Sequence, residues 1–336
     1  GLKIDLSQLF KLEKTRGALL VRVEDLRAQR HRLGRDERQR GREIKSELKK
    51  IEPKLRGVEE ELTELREELP NLVHPAVPRG GEEKNKVIRT VGKPPRLSFK
   101  PLDHQELAEK MDLLDFARGA RVAGSRFYYL KNEAVLLEFA LIKYAFDLLL
   151  REGFTPLVTP DLARKKVIRG LGFNPRGFQS DVYNVEETDL GLVGTAEITL
   201  GGYHADEVLE ELPLKYAGFS HCFRREAGSY GKYAKGLYRV HQFSKVEMFI
   251  FCRPEESEEM HDYLLGLEEE IFRGLRVPYR VVEIASGDLG GPYYRTFDLE
   301  AWMPGREEWG EVTSTSNATD YQARRLNIKY RTREGK

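Results

Sequence analysis

Several side chains able to bind a phosphorylated ligand crowd into one short stretch, FSHCFRREAGSYGKYAKGLYRVHQFSKVEMFIF, from Phe219 to Phe251. Arg224 and Glu226 are two residues apart, and Arg239, His241, Phe243, Lys245 and Glu247 follow the same step. On an extended chain alternate side chains share a face. One face then carries these residues, and the other carries Val240, Gln242, Ser244, Val246 and Met248. Such a charged face is costly unless its groups meet water, each other or a ligand. Two readings fit. One is a solvated sheet cross-linked by ion pairs. The other is a site for a polyanion with a flat ring. Arginine forks would meet phosphate oxygens, Phe243 would stack on a base, and Glu247 would accept from an ammonium or hydroxyl. The spacing alone prefers neither.

The elements that must hold these residues are legible around them. The ends of the stretch read as strands, and Gly228 to Gly236 reads as a polar, glycine-bounded loop carrying Lys232 and Lys235. That is a hairpin with a long connection. Asp189 to Val193 reads as a strand running into GTAEITL, where Thr195 and Glu197 are two apart. Asn132 to Glu152 and Glu256 to Leu275 read as helices, Asp103 to Asp115 as a short one, and Val122 to Leu130 as a turn into a strand. Tyr279 to Ile284 and Tyr294 to Trp302 read as strands before EWGEVTSTSNATDYQARR. Strands joined by hairpins with helices interspersed predict an antiparallel α+β fold. Neither a G-x-G-x-x-G turn nor a G-x-x-x-x-G-K-[ST] loop occurs, so phosphate chemistry would run through arginine and metal.

Ahead of this body, Leu12, Leu19, Leu26 and Leu33 recur every seven residues, with Val23 between. Ile44, Leu48, Ile51, Leu55, Val58, Leu62, Leu65 and Leu69 then alternate steps of four and three, the seam of a left-handed coiled coil. GRDERQRG, Gly34 to Gly41, is the expected turn of an antiparallel helical hairpin roughly 40 Å long. Pro53 is expected to kink or break the second helix. Lys11 to Arg56 holds 16 Lys and Arg against 8 Asp and Glu, whereas Gly57 to Leu69 holds one Arg against six Glu. Charge sorted lengthwise fits either ordinary coiled-coil solvation or an arm whose outer half meets a phosphate backbone. Residues 76–96, punctuated by proline and glycine, read as a linker. Three segments result: a helical arm 1–75, the linker, and a body 97–336.

A formal charge of +1 excludes a uniformly basic nucleic-acid binder. Cys222 and Cys252 are too few for a disulfide scaffold or a four-cysteine zinc site. Their rarity, with no secretory signal and no uncharged apolar run of about 18 residues, predicts a cytoplasmic protein without a membrane span.

Taken with the arm, the motifs GFTPLVTPDL, GTAE, FRREAGS, GLYRVHQFSKVE and GEVTSTSNATDYQARR, in that order, resemble the bacterial-type seryl-tRNA synthetases, which are class II aminoacyl-tRNA synthetases. The resemblance covers essentially the whole chain. It implies a class II antiparallel-sheet catalytic core behind a coiled-coil arm, and ATP-dependent activation of L-serine followed by transfer to tRNA(Ser), with tRNA(Sec) as a further substrate. It assigns ATP to Arg224, Arg225, Glu226, Val240, Phe243, Glu311, Val312, Thr313 and Ser314. Within that set Arg224 grips the α-phosphate, Glu226 meets the adenine amino group and Phe243 stacks on the ring. It assigns serine to Thr195, Ala196, Glu197, Arg224 and Glu247, and Mg²⁺ to Glu311 and Ser314. The arm would grip the long variable arm of the tRNA, with Arg35, Arg38 and Arg40 as candidate contacts, and GFTPLVTP would lie in a homodimer interface. Family members carry a C-terminal glycine-rich segment with an arginine that this sequence lacks, which predicts a C-terminally incomplete chain, weak or inactive in ATP activation. A synthetase-like paralogue serving as a tRNA-binding or dimerisation module is the alternative.

Overall fold

The computed structural model describes residues 6–34, 37–173, 181–226 and 236–332. The chain divides into two compact units, Gly1–Pro70 and Asn71–Lys336.

The first unit is a helical hairpin of α1 (Leu6–Arg32) and α2 (Arg38–Glu67). The heptad positions explain it. Ile44, Leu48, Leu55 and Leu62 of α2 and Val23 and Leu26 of α1 are buried, while Leu19, Leu33 and Ile51 pack against the cluster at its edge. Arg22 pairs with Glu47 at 2.6 Å, Arg27 with Glu52 at 2.8 Å and Arg16 with Glu59 at 3.2 Å, and Arg66 pairs with Glu13. These exposed pairs fix the antiparallel register more than they stabilise it, since each contributes at most about 1 kcal/mol. The expected break at Pro53 and the expected extent of the turn need correction. Helix α2 runs through Pro53 without a break, because that residue faces solvent while Leu48 and Leu55 on either side are clamped by the facing helix. Packing of the apolar stripe outweighs the lost hydrogen bond. The turn is also shorter than Gly34 to Gly41, since α2 already begins at Arg38 and contains Gly41.

The second unit contains, in order, β1 (Lys86–Val91), α3 (His104–Lys110), β2 (Leu114–Asp115), α4 (Phe116–Ala123), β3 (Tyr129–Leu130), α5 (Glu133–Arg151), β4 (Thr155–Val158), β5 (Leu162–Arg164) and α6 (Lys165–Gly170). There follow β6 (Leu190–Leu192), α7 (Glu197–Gly201), β7 (Val208–Leu209), β8 (Leu214–Phe223), β9 (Gln242–Phe251) and α8 (Ser257–Leu275). The last elements are β10 (Tyr279–Glu283), β11 (Arg295–Met303), β12 (Glu308–Asn317), α9 (Tyr321–Arg325) and β13 (Lys329–Tyr330). Two sheets dominate. One is antiparallel throughout, in the order β1-β10-β11-β12; the other has the order β4-β8-β9, with β4 parallel to β8. The α+β expectation holds.

Residues 76–96 are not a linker. They belong to the second unit and supply β1, the edge of the four-stranded sheet, tied down by Arg89 to Glu269 of α8 at 2.9 and 2.5 Å. Residues 86–90 of β1 are exposed on both faces, so no apolar alternation marks it in sequence. Val122 likewise closes α4 rather than opening a turn.

Helix α8 packs against both sheets. Leu265 joins Tyr279, Val281, Phe297 and Leu299 of the four-stranded sheet, and Leu267 joins Ala217, Phe154 and the α5 residues Leu148 and Leu149. Between the sheets β9 and β12 each present an outer edge without a strand partner among the described residues. No described helix is long and apolar enough to cross a membrane. In the arm, Leu26→Ala removes a fully buried side chain and should cost about 2–5 kcal/mol. Val21→Ala, at an exposed position, should stay within about 0.5 kcal/mol. Urea denaturation followed by circular dichroism checks both.

Candidate active site

Strands β8 and β9 pair over their whole length, with Cys222 opposite Phe243, Ser220 opposite Lys245 and Gly218 opposite Glu247. Directly opposed residues share a face. Phe243, Lys245 and Glu247 therefore stand together as the alternation predicts, while Val246, Met248 and Ile250 pack into the cluster beside α5 and α8. The alternation does not reach the other four residues placed on that face. Arg224 and Glu226 lie past the end of β8, and Arg239 and His241 precede β9. Arg224 is held instead by its Nε donating to the Gly194 carbonyl at 3.2 Å and by the Phe243 ring, 5.2 Å from its guanidinium carbon. Glu226 has a left-handed backbone, φ +49°, and its carboxylate takes Arg239 Nη1 at 3.0 Å. His241 closes the hairpin. Its carbonyl accepts the Arg224 amide, and its Nδ1–H donates to the Arg224 carbonyl at 2.9 Å. The loop with Lys232 and Lys235 lies outside the described residues, as does Arg35.

The turn before α7 docks on the same face, because Gly218 has no side chain to keep Leu200 of α7 away. That seats Thr195, which donates its hydroxyl to Glu247 Oε2 at 2.7 Å and accepts the Glu197 amide at 3.2 Å. Glu247 also pairs with Lys245 at 2.5 Å. Glu197 is clamped from the far side of the chain: the Tyr293 hydroxyl reaches both its oxygens at 3.0 and 3.2 Å, and Gln322 Nε2 donates at 2.6 Å. Burial, and then the charge of Glu247, push the Glu197 carboxyl up to about 6. Nothing in the sequence pattern marks Tyr293. Gln322 sat inside a motif without an assigned role.

Glu311 and Ser314 are three residues apart on β12, which on a regular strand would put them on opposite faces. A β-bulge at Val312 corrects this. Ser314 pairs with Asp298 and Glu311 with Glu300, two residues of one β11 face. Thr313, opposite Leu299, lies on the other face. Burial and the nearby Glu311 push Asp298 up to about 7, and one of its oxygens has no hydrogen-bond partner. Burial also raises Glu311, against the opposing pull of Arg224 and Arg239.

A cavity of about 820 Å³ opens between the edges of β9 and β12; its lining includes Thr195, Glu197, Arg224, Lys245, Glu247, Tyr293, Glu311, Val312, Thr313 and Ser314, with apolar walls from Leu149, Val246, Met248, Ile250 and Leu264. A second, of about 320 Å³, is lined by Gly194, Arg224, Glu226 and Arg239. Arg224 borders both. Ala196 and Val240 are buried and, like Phe243, line neither, and Arg225 donates its amide to the Asp181 carbonyl.

Residues 181–336 match the family model for the tRNA synthetase class II core domain (G, H, P, S and T). A curated serine–tRNA ligase of Dictyoglomus turgidum is 55% identical over 98% of this chain and 81% of its own length. The chain belongs to the serine–tRNA ligase family. A serine–tRNA ligase of Dictyoglomus thermophilum is 63% identical over 78% of the chain, which there spans 62% of the relative's length. Among solved structures, the seryl-tRNA synthetase of Pyrococcus horikoshii complexed with ATP matches with a TM-score of 0.88 at 40% identity, over 98% of this chain and 82% of that one. The cytoplasmic serine–tRNA ligase of Naegleria fowleri in complex with AMP matches with a TM-score of 0.81 at 32% identity, over 96% and 79%.

Glu197 supplies a pH test within this family's fold. The folded chain keeps its proton to about pH 6, whereas an unfolded glutamate releases it near 4.5. Stability should therefore fall as pH rises across that window, by up to about 2 kcal/mol. Glu197→Gln should remove that part of the slope, which urea unfolding of both proteins at several pH values measures.

Proposed function

We propose that this chain activates L-serine with ATP to form seryl-adenylate and transfers the seryl group to tRNA(Ser). The observation that carries this reading is the place of Arg224, a charged wall shared, with Phe173, by two cavities of different chemistry. On one side Thr195, Glu197 and Glu247 offer a hydroxyl and two carboxylates, a set suited to a small zwitterion carrying its own hydroxyl. On the other side stand Glu226 and Arg239, with Phe243 behind Arg224, suited to a purine.

The amino-acid carboxylate and the nucleotide α-phosphate meet at the guanidinium between them. Held there, the carboxylate oxygen attacks the α-phosphorus in line and pyrophosphate leaves. Arg224 stabilises the charge that builds on the phosphoryl oxygens, and Glu247 and Glu197 hold the ammonium away from the reacting atoms. A ribose hydroxyl of the tRNA terminus then attacks the seryl carbonyl, and AMP leaves. Positioning and charge stabilisation supply the catalysis, and no side-chain nucleophile is needed.

The crowded carboxylates of β11 and β12 fit Mg²⁺. Glu311 and Ser314 would hold it, and Asp298 with its unpartnered oxygen shares their face. No group of three or more His, Cys, Asp or Glu capable of holding a metal exists among the described residues. Mg²⁺ needs none, because it is usually bound by one or two carboxylates plus substrate phosphates. When bound it neutralises charge on those phosphates.

Three further parts of the reading rest on surfaces. A homodimer is supported by the exposed Leu136, Leu137 and Phe139 of α5 and Val158 of β4. Recognition of the tRNA variable arm is supported by the basic stretch from Lys11 to Arg56. A cytoplasmic location agrees with two free cysteines.

Glu247→Ala should weaken serine binding by about 2–5 kcal/mol while leaving ATP binding intact, because Lys245 and the substrate ammonium both lose their partner. Calorimetric titration with each ligand decides this. Neutralising Arg38 and Arg40 should lower affinity for tRNA(Ser) and flatten its decline with salt. Filter binding from low to physiological ionic strength measures that slope, and an unchanged slope would remove these arginines from the interface.

A further inference from the structure

We propose that His104 and Tyr238 are positioning residues that pin the β12 bulge and thereby keep Glu311 and Ser314 on one face; the proposal rests on the nucleotide reading of that site. The contacts form a closed ring. His104 opens α3, whose N-cap Asp103 takes the Glu106 amide at 2.9 Å while the Glu106 carboxylate returns to the Asp103 amide. The helix start is thus held in place. From it, His104 Nε2 accepts the Leu237 amide at 2.9 Å. This approach needs Gly236, whose φ is +69° and whose added Cβ would stand 2.1 Å from that nitrogen. One residue on, the Tyr238 hydroxyl donates to the Glu311 carbonyl at 3.0 Å, and the Arg306 guanidinium lies 4.8 Å from the Tyr238 ring centre. Gly310 makes room for that hydroxyl, since a Cβ there would lie 3.0 Å from it. The ring closes at the β11–β12 turn, where a Cβ on Gly305 would lie 2.5 Å from the Asp103 Cα and the Leu102 carbonyl.

The physical reason for the brace is the bulge itself. An extra residue disrupts the local ladder, here on a strand that has no partner on its outer side among the described residues. Tyr238 supplies a donor to the carbonyl at that point. With the hydroxyl gone, β12 can relax toward regular alternation, which turns Ser314 away from Glu311. Arg239, next in sequence, carries the same anchoring to Glu226.

The test uses the full chain and three variants: Tyr238→Phe, His104→Leu and His104→Gln. Binding of ATP is titrated with Mg²⁺ and with a chelator, binding of serine is titrated separately, and exchange of the Leu237 amide is followed by hydrogen–deuterium exchange. Tyr238→Phe should weaken ATP binding in Mg²⁺ about fivefold to tenfold, the effect of one lost hydrogen bond. Its affinities for serine, and for ATP in chelator, should stay within twofold of wild type. His104→Leu should speed Leu237 exchange at least tenfold and reproduce the ATP defect. His104→Gln, whose side-chain carbonyl can accept the same amide, should restore both. Tyr238→Phe or His104→Leu protein that binds ATP and Mg²⁺ as tightly as wild type would overturn the brace, as would a His104→Gln protein as impaired as His104→Leu. So would a joint loss of serine affinity, ATP affinity and melting temperature, which marks a purely structural role. Wild-type protein that binds no ATP would instead sink the nucleotide reading, and the brace with it.

Discussion

The ladder between β8 and β9 holds the site together because its register decides which side chains stand beside Thr195 and Arg224. Slipping the pairing by one residue would turn Phe243, Lys245 and Glu247 toward α5 and bring Val246 and Met248 out in their place. Apolar packing guards against that slip. Val246, Met248 and Ile250 are committed to the cluster under α5 and α8, and Phe249 and Phe251 to the one around Leu200. The shared face of Phe243, Lys245 and Glu247 is therefore fixed by apolar packing along the same strand.

The carboxyls lining the cavity and the neighbouring Asp298 have one sign of demand. Glu197, Asp298 and Glu311 all hold their protons more tightly than a solvated carboxyl, with burial the first cause in each. Arg224, Arg239 and Lys245 oppose this for Glu311. Such a site gains most from ligands that bring positive charge to the carboxylates and negative charge to the arginines. An amino acid paired with a metal-bound polyphosphate does both.

Where periodicity governs, the sequence was legible. The heptads of Ile44 to Leu62 gave the arm, and the step of two gave the shared face of Phe243, Lys245 and Glu247. It failed where the backbone leaves its repeat. Arg224 and Glu226 lie beyond the strand end, and the Val312 bulge brings Glu311 and Ser314 together against their spacing. Tyr293 and Gln322 were hidden for a different reason: they meet Glu197 from 96 and 125 residues away. Strand β1 escaped notice because both its faces are wet. Motif order carried the family resemblance past all of these gaps, since it does not depend on local geometry.

Helix α8 lines the cavity with Met260, Leu264 and Glu268, and it leans on both sheets at once through Leu265 and Leu267. It acts as the keel between them. The width of the gap separating Glu247 from Glu311 is then a property of one helix's girth and seating. A small change of volume along that keel would be felt as a mismatch in how far apart two substrates sit, long before the protein lost its shape.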